Sequence, residues 1–210
     1  WAHYDTVFNS PGADDNSSGI AALLEFIRLF DDYENKRTLR FVAFTLEEPP
    51  FHGTPQMGSY VYANSCKNQQ ENIVAMVSLE MLAYFTNKRG TQKYPYPEMI
   101  TQYPDKGNFI TIVGNSNSQA IVGKVLATFK KYSTVPVYAI ISTSFIPGTD
   151  LSDHAPFWNL GYKAIMITDT AFYRNPHYHE PHDTIDTLNF KYFSNLVLGL
   201  YHSFKELDSK

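Results

Sequence analysis

The chain has 210 residues, a net charge of −4 at pH 7 and lysines scattered along its length. This length is enough for one α/β domain with a substantial core, and the charge disfavours nucleic acid and anionic membranes as partners. No apolar stretch approaches the roughly 20 residues that a membrane-spanning helix needs. Cys66 is the only cysteine, which excludes an internal disulfide and leaves the compartment open.

Apolar patterns of strand and helix type alternate along the chain, without a linker, a repeat or a low-complexity run. Strands are predicted at 1–5, 39–46, 73–79, 109–113, 137–141 and 163–168. Helices are predicted at 17–30, 56–68, 118–132 and 189–207, with loops at 9–19, 86–107 and 172–183. The alternation predicts a three-layer α/β/α fold in one domain, 1–210, with a central, mostly parallel mixed sheet.

Two adjacent glutamates, Glu47 and Glu48, end a strongly apolar predicted strand. Paired carboxylates at the end of a buried strand need either a cation or exposure at the rim of the sheet. The pair by itself favours the exposed rim. His3 and Asp5 change this interpretation because they lie on the same side of an extended strand. In that position Asp5 can orient the ring of His3, as a metal-ligating histidine requires.

Imidazoles and carboxylates follow several of the predicted strands, and the carboxyl ends of such strands form the sites of α/β sheets. The residues at these ends are His3, Asp14, Glu47, Glu48, Glu80, Asp153 and His179. Nitrogen and oxygen donors without a thiolate suit zinc, with manganese or cobalt as alternatives. The number of donors fits two ions that share a carboxylate. One of the two adjacent glutamates is then free to act as a general base.

Six short segments carry a resemblance to a known family. They are His3-Tyr4-Asp5, Pro11 to Gly19, Glu47-Glu48, Leu79-Glu80-Met81, Ser152-Asp153-His154 and Tyr178-His179. Together they resemble the di-zinc aminopeptidases of the bacterial leucyl aminopeptidase type, a group that includes glutamate carboxypeptidase and has the glutaminyl cyclases as relatives. The resemblance runs from residue 3 to about 188. It implies a peptide substrate, two zinc ions per chain and a secreted or periplasmic location. It also implies that N-terminal elements of the family are missing here.

The resemblance assigns a role to each position that matches. Asp14 would bridge both zinc ions and form a cis peptide bond with Asp15. His3 and Glu80 would complete one zinc site, and Glu48 and His179 the other. The remaining roles fall to Glu47 as general base, Tyr178 as donor to the oxyanion, and Asp5, Asp15 and Asp153 as carboxylates that support the site.

Glu80 departs from the family pattern, because many relatives carry Asp at this position, and its longer arm can alter how the metal is bound. The side-chain pocket is less well defined by the sequence. Its candidates, for each of which ordinary packing is an equal alternative, are Met81, Phe145, Ile146, Phe172 and Tyr173. Apolar pocket walls favour leucine-like side chains.

Several other residues receive no role at this stage. His52 is interpreted as a loop residue near the two glutamates, and His154 as structural. Three consecutive residues cannot converge as a serine triad must, which excludes that reading of Ser152-Asp153-His154. Two alternative functions remain, a glutaminyl cyclase and a non-catalytic binding domain of the same fold. Glutaminyl cyclases carry Trp where this chain has Tyr178, and non-catalytic members of the fold lose zinc ligands that this chain keeps.

Overall fold

The computed structural model describes residues 1–142 and 146–209. Its helices are α1 (Gly19–Phe30), α2 (Gly58–Asn68), α3 (Met99–Gln102), α4 (Gln119–Tyr132), α5 (His154–Asn159) and α6 (Phe190–Asp208). Its strands are β1 (Ala2–His3), β2 (Ala43–Phe44), β3 (Met76–Glu80), β4 (Ile110–Gly114), β5 (Val137–Ile141) and β6 (Ala164–Thr168). Within this described part of the chain, no helix combines the length and apolar character that a membrane crossing needs.

Within the described residues, the six strands form a two-stranded sheet and a four-stranded mixed sheet, and three of the four neighbouring pairs are parallel. β1 pairs with β2, and the other four strands follow the order β3-β6-β4-β5, with the β6–β4 pair antiparallel. The amine of Trp1 donates to the Val77 carbonyl at 2.8 Å, and the Leu79 N–H donates to the Trp1 carbonyl at 2.8 Å. These two bonds place β1 beside β3. The predicted mostly parallel sheet is confirmed.

The two faces of the sheet carry separate apolar clusters. Side chains alternate between the faces of a strand, and on β3 Val77 and Leu79 join the larger cluster, whereas Met76 joins the smaller one. The larger cluster includes residues of α1, α4 and α6, and the smaller one includes residues of α2 and α5. Helices therefore cover both faces, which confirms the predicted three-layer α/β/α architecture.

Two details differ from the sequence pattern. The strand predicted at 39–46 is reduced to β2, because the ladder with β1 has two residue pairs, Ala2 with Ala43 and His3 with Phe44. A strand is defined by the neighbour to which it is hydrogen-bonded, so an apolar pattern overestimates its length where the ladder is short. The short helices α3 and α5 are not indicated by the pattern, since neither completes two helical turns.

Polar residues gather at one edge of this sheet. His3 is the last residue of β1, and Glu80 is the last residue of β3. Glu47 and Glu48 follow β2 after a short connection, and Asp169 directly follows β6. Because β1 is parallel to β2 and β3 is parallel to β6, these residues lie at the carboxyl ends of their strands. Such ends form the sites of α/β proteins.

The core makes a direct stability prediction at Phe129 of α4. This side chain is fully buried in the larger cluster, and Gly199 of α6 approaches its ring so closely that an added Cβ would lie 2.8 Å from Phe129 Cε2. Replacement by Ala leaves a cavity, and we expect Phe129→Ala to lower the free energy of unfolding by about 3–5 kcal/mol. Urea unfolding followed by circular dichroism measures this change.

The matched control for this prediction is Phe8→Ala, since the Phe8 side chain is fully exposed. We expect this variant to stay within about 0.5 kcal/mol of the wild type. Equal stability of the two variants would contradict the assignment of Phe129 to the core.

Candidate metal centre

A buried turn over residues 13–18 precedes α1 and presents two aspartates. Its cis peptide bond joins Asp15 to Asn16. The prediction of a cis bond between Asp14 and Asp15 is therefore wrong by one residue. Asp183 holds the turn in place, because its carboxylate accepts the backbone N–H of Asp14 at 3.1 Å and that of Asp15 at 3.0 Å.

The Asn16 side chain ties the same turn to the end of β3. Its Nδ2 donates to the Leu79 carbonyl at 2.9 Å, and its Oδ1 accepts from the N–H of Met81 at 3.0 Å and of Gly19 at 3.2 Å. A Cβ at Gly19 would lie 2.4 Å from Asn16 Oδ1 and 2.6 Å from the Leu79 carbonyl oxygen. A glycine is therefore required for the turn to lie this close to β3.

Asp15 is the carboxylate that lies between the two candidate histidine ligands. Its Oδ1 is 3.4 Å from His3 Nε2, and its Oδ2 is 3.2 Å from His179 Nε2. The side chain is 4% exposed. Both oxygens thus face a ring nitrogen that can bind a metal, one on each side. This is the position that a bridging ligand would take.

Asp14 points away from these histidines, so the prediction that it bridges two metals is wrong. Its Oδ1 accepts from the Ala83 N–H at 2.9 Å, and its Oδ2 accepts from Asn175 Nδ2 at 2.9 Å. It is also close to Asp169, and burial raises the pKa of Asp14 to about 6. Successive residues in the turn point in different directions, so a shift of one residue in register exchanges the bridging and supporting roles.

Among the residues that the structure describes, three groups of side chains bring ligand atoms close enough to hold an ion. They are His3, Asp15 and Glu80; Asp15, Glu48 and His179; and His3, Glu47 and Glu48. In each group the ligand atoms lie within 4.8 Å of one another. The first two groups share Asp15. The structure thus brings together all the predicted ligands except Asp14, whose place Asp15 takes.

Asp5 lies beside His3 and Glu48. His3 Nδ1 lies 3.1 Å from the Asp5 carbonyl oxygen and 3.6 Å from its Oδ1, and Asp5 Oδ2 accepts the Glu48 N–H at 3.1 Å. A carbonyl oxygen accepts hydrogen bonds but cannot donate them, so His3 Nδ1 carries the hydrogen and Nε2 is left for a metal.

The two adjacent glutamates separate, as expected for neighbours on an extended segment. Glu48 Oε2 lies 3.1 Å from His179 Nε2. Glu47 Oε2 lies 3.8 Å from His3 Nε2, and Glu47 Oε1 lies 3.0 Å from His52 Nδ1. Glu48 therefore offers a carboxylate oxygen beside His179. Glu47 has one oxygen at the centre and the other in a hydrogen bond outside it.

Glu80 reaches the centre with its longer arm. Its Oε1 lies 3.3 Å from His3 Nε2, and its Oε2 accepts from Ser152 Oγ at 2.6 Å. Burial raises the pKa of Glu80 to about 8. Asp153 is fully buried but belongs to none of the three ligand groups. Burial raises its pKa to about 7, and its charge interacts with that of His3. The supporting role of Asp153 stays a prediction.

The electrostatics of the centre reflect a surplus of carboxylates. Burial disfavours the charged form of His179, but the adjacent carboxylates of Asp15 and Glu48 outweigh it and raise the pKa of His179 to about 10. For His3, likewise, burial opposes the imidazolium, while Glu80 and Asp15 raise the pKa well above its ordinary value. Both histidines thus respond to concentrated negative charge that a divalent cation would neutralise.

Two buried atoms support the fit to a cation. Glu48 Oε1 and His179 Nε2 have no hydrogen-bond partner within the described residues. For His179 this holds although carboxylate oxygens of Asp15 and Glu48 lie 3.2 and 3.1 Å away. Buried polar atoms are costly without a partner. Imidazole and carboxylate donors of this kind suit zinc, and we conclude that the residues fit a zinc centre.

A cavity of about 90 Å³ opens next to Glu80 and Tyr178. Of the predicted pocket residues, Ile146, Phe172 and Tyr173 line it. Met81 does not, because its side chain is fully buried and its backbone is held against Asn16. The prediction for Met81 is therefore wrong. Phe145 lies outside the described residues.

Further aromatic rings line this cavity, two of them from the segment predicted as a loop at 86–107, one from β5 and one from the residue before β4. They include Tyr94, Tyr103, Phe109 and Tyr138. Tyr178 stands at the boundary between cavity and ligands, and its ring stacks on that of His179 with centroids 3.7 Å apart. The cavity is thus an apolar space that adjoins the ligand groups.

Sequence reasoning missed four residues that shape the centre: Asn16, His52, Ser152 and Asp183. Asn16 directly follows the aspartate pair, and Asp183 lies four residues after His179. Asn and Asp side chains commonly accept hydrogen bonds from backbone N–H groups in turns. This preference could have identified both residues from the sequence. The contact of Ser152 with Glu80 joins segments 72 residues apart, and no local pattern indicates it.

Comparison with known proteins gives one family. The model of "Peptidase family M28" matches residues 1–198. A relative in Escherichia coli (strain K12), called "Uncharacterized protein YfbL", is 42% identical over 95% of this chain and 63% of its own length. A "Probable leucine aminopeptidase" of Arthroderma otae is 28% identical over 86% of this chain and 43% of its own length. The chain thus spans less than two thirds of these relatives.

Solved structures share the fold. A zinc aminopeptidase from Bacillus subtilis has a TM-score of 0.74 at 21% identity, covering 98% of this chain and 44% of its own. A glutaminyl cyclase from Bacteroides thetaiotaomicron has a TM-score of 0.64 at 18% identity, covering 96% of this chain and 70% of its own. At such identities the likeness concerns the fold alone. Since the family model matches nearly the whole chain, the chain belongs to peptidase family M28.

Proposed function

We propose that this chain carries the active site of a zinc-dependent aminopeptidase, which hydrolyses the first peptide bond of a peptide. The observation that carries the proposal is Asp15, whose two carboxylate oxygens face His3 and His179 and which belongs to two groups of ligands. Because the chain spans only part of its relatives' length, the activity and substrates of the whole protein belong to this proposal.

The ligand groups suggest two zinc ions per chain. His3, Asp15 and Glu80 would hold one ion, and Asp15, Glu48 and His179 the other. Each group offers three protein ligands, the usual number in catalytic zinc sites, which keep a further position for water or substrate. A carboxylate shared by two groups is the arrangement that two-metal hydrolases use.

Glu47 is the base in this proposal. It lies outside both of these groups, although it reaches His3 closely enough to form the third one. When bound, zinc polarises the peptide carbonyl and lowers the pKa of water from 15.7 towards about 7. Glu47 Oε2 accepts the proton of the attacking water, and Glu47 then delivers this proton to the leaving amine.

Tyr178 is placed to stabilise the charge that develops on the carbonyl oxygen. Its ring is fixed by stacking on His179, and it lines the cavity beside the ligand groups. Burial, together with the nearby carboxylates, raises the pKa of Tyr178 above the ordinary value, so the phenol keeps its hydrogen at neutral pH. It can therefore donate a hydrogen bond to the oxyanion, a contact that contributes to catalysis when the donor is held in advance.

The surroundings of the centre favour the amino end of a peptide. Asp5, Glu47, Glu80 and Asp153 place acidic groups around His3, and such a site attracts a protonated amine and repels a terminal carboxylate. The apolar cavity beside Glu80 would take the side chain of the first residue. Its aromatic walls favour a large apolar side chain.

We expect Glu47→Gln to lower kcat by about 10²- to 10⁴-fold, because glutamine cannot accept the proton of water. The zinc content should stay at the wild-type level, since neither proposed ligand group includes Glu47. Hydrolysis of aminoacyl-nitroanilides and elemental analysis measure the two quantities. Glu34→Gln, at an exposed position, serves as the control. Near-normal kcat in Glu47→Gln would refute the assignment of the base.

Removal of metal should abolish hydrolysis. We expect dialysis against a zinc chelator to reduce cleavage of dipeptides to background and added zinc to restore it, because the ligands bind zinc reversibly. Mass spectrometry of the products distinguishes the competing reactions. Release of the first residue supports an aminopeptidase, whereas pyroglutamate formation from an N-terminal glutamine would show a glutaminyl cyclase instead. Cleavage that persists after complete zinc removal would contradict the proposal.

The positions of Asp14 and Asp15 predict opposite effects of the same substitution. We expect Asp15→Asn to weaken zinc binding by more than about tenfold, since an amide replaces the carboxylate that the two ligand groups share. Asp14→Asn should keep its zinc, although it disturbs the hydrogen bonds with Ala83 and Asn175 and lowers stability. Competition with a chromogenic zinc chelator measures both affinities. Zinc loss in Asp14→Asn alone would show that Asp14, and not Asp15, is the shared ligand.

A further inference from the structure

His52 contacts Glu47 at two points with one ring nitrogen. Its Nδ1 lies 3.1 Å from the Glu47 carbonyl oxygen and 3.0 Å from Glu47 Oε1. A carbonyl oxygen accepts hydrogen bonds but cannot donate them. A ring nitrogen in contact with it must therefore carry the hydrogen, which fixes the tautomer. His52 thus donates from Nδ1 to its neighbours on Glu47.

The backbone returns His52 to Glu47 through a tight turn. The N–H groups of Phe51 and His52 both donate to the Glu48 carbonyl, at 2.9 and 3.2 Å, and Thr54 N–H donates to the Phe51 carbonyl at 3.0 Å. The His52 side chain is 28% exposed. The turn and the partial burial restrict the ring. The contact of His52 with Glu47 therefore differs from that of a freely rotating surface side chain.

The two carboxylate oxygens of Glu47 have different neighbours. Oε1 accepts from His52, while Oε2 lies 3.8 Å from His3 Nε2, on the side of the ligand groups. A glutamate side chain otherwise rotates freely and loses this freedom when it is ordered. A general base must lie within hydrogen-bond reach of the proton it accepts, so a fixed Oε1 keeps Oε2 in the working position.

We propose that His52 is a positioning residue for Glu47, whose Nδ1–H holds Oε1 so that Oε2 faces the water that attacks the peptide. This inference rests on the proposed function, because it assigns His52 a part in presenting the base. The hydrogen bonds of the His52 ring go to Glu47, which lies outside both of the proposed zinc groups. His52 acts through Glu47, and its removal should affect the rate and not the binding of metal.

The first experiment compares two substitutions at this position. We expect His52→Phe to lower kcat by about 10- to 100-fold, with KM within about twofold and zinc content unchanged, as for the loss of a partner that orients a reactive group. His52→Asn should recover most of kcat, since its Nδ2 can donate from the place of Nδ1. His202→Phe is the matched control, because this ring packs on Tyr132 of α4. Its activity should equal that of the wild type.

The second experiment tests coupling with the base. In the Glu47→Gln background, His52→Phe should cause no further loss of kcat, because the oxygen that it positions no longer accepts a proton. If His52→Phe lowers kcat equally in both backgrounds, the role of His52 is merely structural. The same conclusion follows if His52→Asn lowers kcat as much as His52→Phe does. Wild-type kcat in His52→Phe would also overturn the inference.

A spectroscopic measurement keeps the inference separate from the proposed function. Nitrogen-15 spectra of the histidine rings, assigned by comparison with His52→Asn, report which ring nitrogen carries hydrogen. We expect a hydrogen on Nδ1 of His52 in the folded chain. A His52 ring without it would overturn the inference whether or not the chain cleaves peptides. A chain with the expected ring but without activity on any peptide would refute the proposed function.

Discussion

The burial of several carboxylates around two imidazoles is the constraint on which the rest of this structure depends. Asp15, Glu48 and Glu80 are almost completely buried beside His3, and burial disfavours the charged form of each. Their mutual repulsion must be balanced, and the two histidines alone supply at most two positive charges. A bound divalent cation would supply positive charge in place of the protons on these histidines, because a histidine that ligates a metal is neutral. The strand ends, the turn before α1 and the loop of His179 all serve to keep these groups together against their repulsion.

Several side chains around the ligand residues form hydrogen bonds with the backbone. Asp183 fixes the turn of Asp15, Asn16 ties that turn to β3, and Asp14 binds Ala83. Hydrogen bonds from charged or amide side chains to buried N–H groups are costly to lose. The backbone around the ligand groups is thus held by side-chain hydrogen bonds, while Glu47 and His52 belong to the separate turn that follows β2.

The sequence predicted the layers, the mostly parallel sheet and the ligands at strand ends, because these follow from periodicity and from the rule for carboxyl ends. The sequence did not predict the features that have no periodic pattern. The choice between Asp14 and Asp15 depends on a turn that no repeat describes, and the orientation of Met81 depends on the contact of its backbone with Asn16. The partners Ser152 and His52 require tertiary contacts or a folded turn, so their roles became visible with the structure.

The contact between Asp183 and the turn of Asp15 joins segments 169 residues apart, and that between His3 and Glu80 joins segments 77 residues apart. An ion held by all these segments closes several long loops of the chain at once. Closing a loop removes entropy from the unfolded chain, and the removal grows slowly with the length of the loop. Metal occupancy would then behave like a removable cross-link, and the resistance of the chain to heat and proteases would follow the free metal concentration around it.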